Sequence, residues 1–224
     1  MAFHDDTLDR VTMASGPVNS LTYTQLTKLD LAPKHPLSAS FNNAKIPSVE
    51  QFVAECLSLN LKMIIDLKTW DLPDETVNLI LFLHTKFPTL KSKSIITSFF
   101  PNLLYKLRSS DPQILTAVST RPHFFSSATW EGTSTGMRPR FSGMKQLVAS
   151  CMDVVYTPRL DQLLWWMVGI SAVLVHRAVI TREYVNMWKS KGVSVMAWTV
   201  NCPIEKQFMK KVIGVQVLTD TMEK

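Results

Sequence analysis

Two short stretches carry side chains whose types and spacing could do chemistry. In "MIIDLK", Asp66 and Lys68 are two apart, so on an extended chain both point to the same side. A carboxylate and an ammonium directed into one pocket suit a divalent cation beside a phosphate. The same pair could instead hold the mouth of a barrel together without entering any reaction. The second stretch is "MAFHDDTLDR", where His4 adjoins Asp5 and Asp6, with Asp9 nearby. A histidine among carboxylates moves protons or sits near a metal. Terminal residues are also the loosest part of most chains, so His4 reads either as a stray polar tail or as a piece of an active site.

Further candidates sit where predicted strands end. "SIITSF" finishes at Ser98 and Phe99, and "VSVMAWTVN" at Trp198 and Asn201. Trp198 is a stacking wall for a substrate or a core side chain. "VQVLTD" ends at Thr219 and Asp220, and a buried aspartate there could simply accept backbone donors. His35, His84, His123 and His176 show no ligand spacing such as i, i+4. Seven glycines leave little room for a phosphate-cradling loop, and neither a Gly-x-Ser-x-Gly elbow nor a cysteine nucleophile motif occurs. Hydrolysis by a metal with general acid and base groups is the chemistry that survives.

The elements that must position these residues alternate. Thr22 with Gln25, and Ser48 with Gln51, read as capping boxes at helix starts. Val49, Phe52, Val53, Cys56 and Leu57 fall on one helical face, and Asn60 suits a left-handed stop. "LKMIIDL", "SIITSF", "ILTAVS", "ISAVLVH", "VSVMAWTV" and "VQVLTD" read as strands. "PDETVNLILFLHTKF", "PNLLYKLRSS", "TREYVNMWKSKG" and "PIEKQFMKKV" read as helices, with Gly192 stopping the third. Strands joined by helix-sized crossovers predict an α/β fold, a parallel sheet with helices outside. Residues 121–168 interrupt this order. "RPHFFSSATWEGTSTGMRPRFSG" is rich in Ser, Thr, Gly and Pro and reads as loop, and one or two extra helices follow.

Composition bounds the rest. Hydrophobic residues make up 46% of the 224 and charged residues 19%, which excludes a disordered chain and allows a real core. The net charge of +6 attracts anions, but the basic residues are scattered and no nucleic-acid-binding signature occurs. Cys56, Cys151 and Cys202 have no paired spacing, so they read as buried or free thiols. No apolar leader opens the chain, which reads as intracellular taken as written. The longest apolar run, "LLWWMVGISAVLV" from Leu163 to Val175, is shorter than the roughly 20 residues a spanning helix needs. It splits at Gly169 into a helix end and a strand. Trp165 and Trp166 make either a membrane-surface patch or part of a helix packed on the barrel.

"HDDTLDRVT", then G-x-V-x-x-"LTYTQLTKLD", "IPSVEQFV" and "MIIDLK", followed by "SIITSFFPNLLYKLR", "SKGVSVMAWTVN" and "VQVLTD", resembles the glycerophosphodiester phosphodiesterase family over nearly the whole chain. The order is similar to the membrane-associated animal branch, which acts on glycerophosphoinositol and related lysophospholipid-like diesters. The resemblance implies a TIM (β/α)8 barrel of the PLC-like phosphodiesterase type, 1–224 forming a partial domain with the 121–168 insertion inside it. It implies a magnesium or calcium cofactor and lipid metabolism, with glycerol 3-phosphate and an alcohol as products. His4 matches one of the family's two catalytic histidines. Asp66 matches a metal carboxylate, Lys68 the phosphate-facing lysine, and Trp198 the aromatic residue near the head group. The full-length protein is then expected at a membrane.

The family's His-Arg-Gly and Glu-x-Asp motifs do not occur here. By resemblance the first strand and most of the second are absent, "AFHDD" ends a barrel strand, and the sequence is a fragment. One Asp and one Lys do not fill a site of about six oxygens. Two expectations therefore stand: a metal-dependent hydrolase, or a catalytically dead barrel remnant that binds a membrane or a partner.

Overall fold

The structure is a computed structural model describing residues 1–35, 38–40, 43–68, 73–130 and 137–221. It divides into two compact units, Met1–Lys62 and Met63–Lys224.

In the first unit, residues 1–5 form no strand, which corrects the expectation for "AFHDD". A ladder needs a run of partners. The backbone bonds here are isolated ones: Ala2 N–H to Pro47 O at 3.1 Å, and a single antiparallel bridge between Thr7 and Pro17. Leu8, fully buried, closes this turn by donating to Gly16 O. Both capping boxes form. Thr22 starts the short α1 (Tyr23–Leu26), and Ser48 starts α2 (Val49–Ser58). Val53 is the buried centre of α2, while Phe52, 100° round from it, lies at the edge of the apolar stripe and is exposed. Asn60 takes the left-handed conformation, with φ of 56°.

The second unit is built on a six-stranded parallel sheet. Its strands are β1 (Met63–Leu67), β2 (Ser94–Ser98), β3 (Thr116–Thr120), β6 (Ala172–His176), β7 (Ser194–Trp198) and β8 (Gln216–Val217), adjacent in that order. The six predicted strands are all present. Helices α3 (Pro73–Lys86), α4 (Leu90–Lys93), α5 (Pro101–Ser110), α8 (Arg182–Ser190) and α9 (Pro203–Phe208) lie in the crossovers. This is an incomplete (β/α)8 barrel. Parallel strands are covered on both faces, so both are apolar. Val118, Val173 and Val175 are buried on one side. Ala117, Ala172, Leu174 and Met196 form a cluster on the other, with Ile95, Trp198 and Leu218 against it.

Between β3 and β6 the chain is not simply loop. Ser127–Thr129 (β4) pairs antiparallel with Arg138–Pro139 (β5). Turn residues masked this long-range pair. The "EGTSTG" part of the expected loop, 131–136, lies outside the described residues. Helix α6 (Gly143–Arg159) follows, with Pro158 inside it, then a π-helical turn (Leu160–Leu164) and α7 (Trp165–Val168). A proline has no N–H to give the preceding turn, and a π turn next to it re-pairs the backbone. Gly169 ends α7 at φ 71°, and β6 begins three residues later. No helix among the described residues is long and apolar enough to cross a membrane.

Candidate active site at the carboxyl ends of the strands

Parallel pairing sets which residues share a face. Asp66 of β1 is level with Thr97 of β2, and His176 of β6 with Trp198 of β7. Counting by twos from the inner cluster places Asp66, Thr97, Ser119, His176 and Trp198 on that same face, toward the carboxyl ends. That is where (β/α)8 proteins carry their working residues. The Thr97 and Ser119 hydroxyls are 2.9 Å apart. Asp66 and Lys68 are both exposed at the end of β1.

A cavity of about 480 Å³ opens at the β3, β6 and β7 ends, lined in part by Arg121, Trp130, His176, Trp198 and Asn201. His176 is buried between two indoles: Trp130 lies 4.7 Å away and Trp198 5.3 Å, each edge to face. Its Nδ1 accepts the Ala178 N–H at 3.3 Å, so the neutral ring carries its proton on Nε2. Asn201 is fixed by the last strand's continuation: its Oδ1 accepts from Asp220 N and Thr219 Oγ1, and its Nδ2 donates to Asp220 Oδ2 at 3.2 Å. Asp220 is thus exposed and paired with a side chain, not buried on backbone donors as expected. Its strand, β8, ends at Val217, too early to cover it.

The arginines here do structural work. Arg121 donates to four carbonyls of its own loop, the shortest bond being 2.8 Å to Ser127 O. Arg177 meets both carboxylate oxygens of Glu205 at 2.8 Å. Among the described residues, no side chain lining the cavity is acidic. Aromatic walls, one imidazole donor and a margin of positive charge suit an anionic ester with a carbon skeleton to stack.

His4 lies in the first unit. Its side chain is 76% exposed, with Nδ1 2.7 Å from Asp5 Oδ1. Arg10 grips Asp5 through Nε at 2.6 Å and Nη2 at 3.0 Å. Those hydrogen bonds hold the Asp5 carboxyl down at about 2. His4 therefore faces a carboxylate that stays ionised at neutral pH. Trp165 is half-buried with the Lys191 ammonium 5.5 Å from its ring, while Trp166 is exposed, so the tryptophan pair divides between two environments.

A metal needs more than Asp66. Among the described residues no three His, Cys, Asp or Glu side chains converge, so these residues do not by themselves fit a divalent site of about six oxygens. His176, Trp130 and Arg121 escaped the sequence reading. For His176 a signal existed, since it ends "ISAVLVH" where a working residue would stand.

A partial barrel with a polar and aromatic carboxyl edge defines the fold class, and comparison narrows it. The model of the glycerophosphoryl diester phosphodiesterase family matches residues 1–224, and the chain belongs to that family. It is 35% identical over 221 residues to glycerophosphodiester phosphodiesterase 1 of Bos taurus, and 33% identical to that of Homo sapiens. Each match covers 98% of this chain and 64% of the relative, so the chain spans a little under two thirds of their length. Among solved structures, it resembles an Oleispira antarctica phosphodiesterase in complex with the product sn-glycerol-3-phosphate. The TM-score is 0.70 at 16% identity, covering 97% of this chain and 74% of that one. A glycerophosphodiester phosphodiesterase from Agrobacterium tumefaciens gives 0.64 at 16% identity, with 97% and 76% covered.

Proposed function

We propose that this chain serves the hydrolysis of glycerophosphodiesters, such as glycerophosphoinositol or lysophospholipid-like diesters, to glycerol 3-phosphate and an alcohol. The observation that carries the reading is the family match over residues 1–224. The product seen in the Oleispira neighbour supports it. In this reading His4 protonates the leaving oxygen, Lys68 offsets phosphate charge, and the alcohol stacks on Trp198. Asp66 supplies one ligand to magnesium or calcium, which would act as a Lewis acid on the phosphate. Among the described residues no group of three His, Cys, Asp or Glu completes that site. The exposed Leu163, Trp166 and Met167 support membrane contact by the insertion.

The test is release of inositol or choline from glycerophosphoinositol or glycerophosphocholine with magnesium or calcium. Turnover lost in His4→Ala and in Asp66→Asn is the expected result. A second reading, a non-catalytic barrel remnant that binds a membrane or partner, is favoured by Asp66 standing apart from any acidic trio among the described residues. No turnover by the purified chain at any concentration of either metal would establish it over the first.

A further inference from the structure

The insertion carries a feature the site does not use. On α6, Met144, Leu147, Val148, Met152 and Val155 are exposed, Met144 by 73%. Their spacing of three and four places them on one stripe. Phe125 backs this stripe and shapes two apolar troughs of about 630 and 380 Å³, which share Phe125, Val148 and Met152. Together they make one elongated channel along the helix. Compact ligand sites carry convergent polar groups that fix orientation. Here the cations Arg159 and Lys145 lie on the lining of one trough each, and the shared stretch between them is wholly apolar.

The channel is joined to the candidate site. Trp198 meets Phe99 at 5.8 Å, Phe99 stacks on Phe124 at 4.8 Å, Phe124 meets Phe125 at 5.1 Å, and Phe125 meets Tyr156 at 5.2 Å. These rings run without a break from the strand ends to the trough. The loop that holds them is fastened to α6: Asp153 accepts the N–H groups of Phe125 and Ser126 at 2.8 and 2.9 Å, and Gln146 donates to Ser126 O at 2.9 Å. The trough is therefore a built surface, tied to the strand ends through packed rings.

We propose that the α6 trough binds the single long acyl chain of a lysophospholipid-type diester whose phosphate and head group lie at the strand ends. A hydrocarbon chain fits an elongated space that offers no hydrogen bonds along its middle, and continuity with Trp198 ties that chain to the diester. The assignment of the head group rests on the proposed function; the acyl site does not.

The experiment is calorimetric titration of the 224-residue chain with lysophosphatidylcholines of 10, 12 and 14 acyl carbons below their micelle concentrations, beside glycerophosphocholine and myristate. Affinity is expected to rise with length, by up to roughly fourfold per methylene. Val148→Glu and Met152→Glu, both at exposed positions, are expected to weaken binding at least tenfold. Val154→Glu, on the same helix but off the trough, is expected to leave it unchanged. Affinity independent of chain length, or equal loss in Val154→Glu, overturns the site. So does binding to vesicles that Val148→Glu abolishes when monomeric lysolipid does not bind at all, because the face then meets a bilayer. Myristate binding as tightly as the 14-carbon lysolipid overturns the diester as its source. Length-dependent binding without turnover leaves the acyl site standing and removes the hydrolytic reading alone.

Discussion

Phe99 and Phe124 lie ring on ring, 4.8 Å between centroids and 8° between planes. One follows β2 and the other belongs to the loop after β3, so the pair ties the strand ends to the insertion. A double-mutant cycle of Phe99→Leu and Phe124→Leu should give a coupling of about 0.5–1.5 kcal/mol in urea unfolding. Additive losses would mean that the rings only share space.

Asp161, in the π turn, gives the opposite pH signature to most acids. Burial pushes its carboxyl up to about 6, partly opposed by Lys191, whose ammonium donates to the Asp161 carbonyl. The folded value then exceeds the unfolded one near 3.9. Folding binds the proton more tightly, so this group's contribution is favourable below about pH 4 and is lost as pH rises through 6. Asp161→Asn should remove that slope and raise stability at pH 7–8 by about 1–2 kcal/mol, allowing for partial solvent screening. Unfolding curves between pH 4 and 8 check the sign.

His176→Leu keeps an apolar side chain between Trp130 and Trp198 but removes the Nε2 donor. Affinity for sn-glycerol 3-phosphate should fall roughly tenfold, the worth of a hydrogen bond to a charged group. Trp198→Ala should weaken it as well. Unchanged affinity in both variants would place the phosphate elsewhere along the strand ends.

Gly169→Ala tests the turn into β6. At φ 71° a Cβ is strained, and it would meet Arg108 Nε at 3.3 Å while Arg108 Nη1 is holding Ile114 O at 3.0 Å. The loss should be roughly 1–2 kcal/mol, read as a lower thermal midpoint.

The sheet was legible because each strand is a short apolar run bounded by strong punctuation. Ser48 with Gln51, Asn60, Gly169 and Gly192 mark their boundaries by side-chain chemistry alone. Asp66 and Trp198 were legible by position, since each ends such a run. The β4–β5 pair was not, because Arg138–Pro139 has no strand signal and its partners Thr129 and Ser127 lie across the loop. The path from Phe99 to Tyr156 was hidden for a like reason: its rings come from β2's end, a loop and α6, and their meeting is tertiary. A helix after the loop was legible, but a helical pattern does not tell whether its apolar stripe is covered.

The π turn after Pro158 also sets a phase. Each residue of an α-helix advances about 100°, and a π turn absorbs one residue more than an α turn would. The wide turn therefore rotates everything that follows it relative to α6, and this is what brings Val168 to the buried side while Trp166 faces out. Removing one residue between Leu160 and Leu164 would swing Trp166 and Val168 round by about a quarter turn. The length of this segment, more than its composition, is what keeps the insertion in step with the strand it delivers.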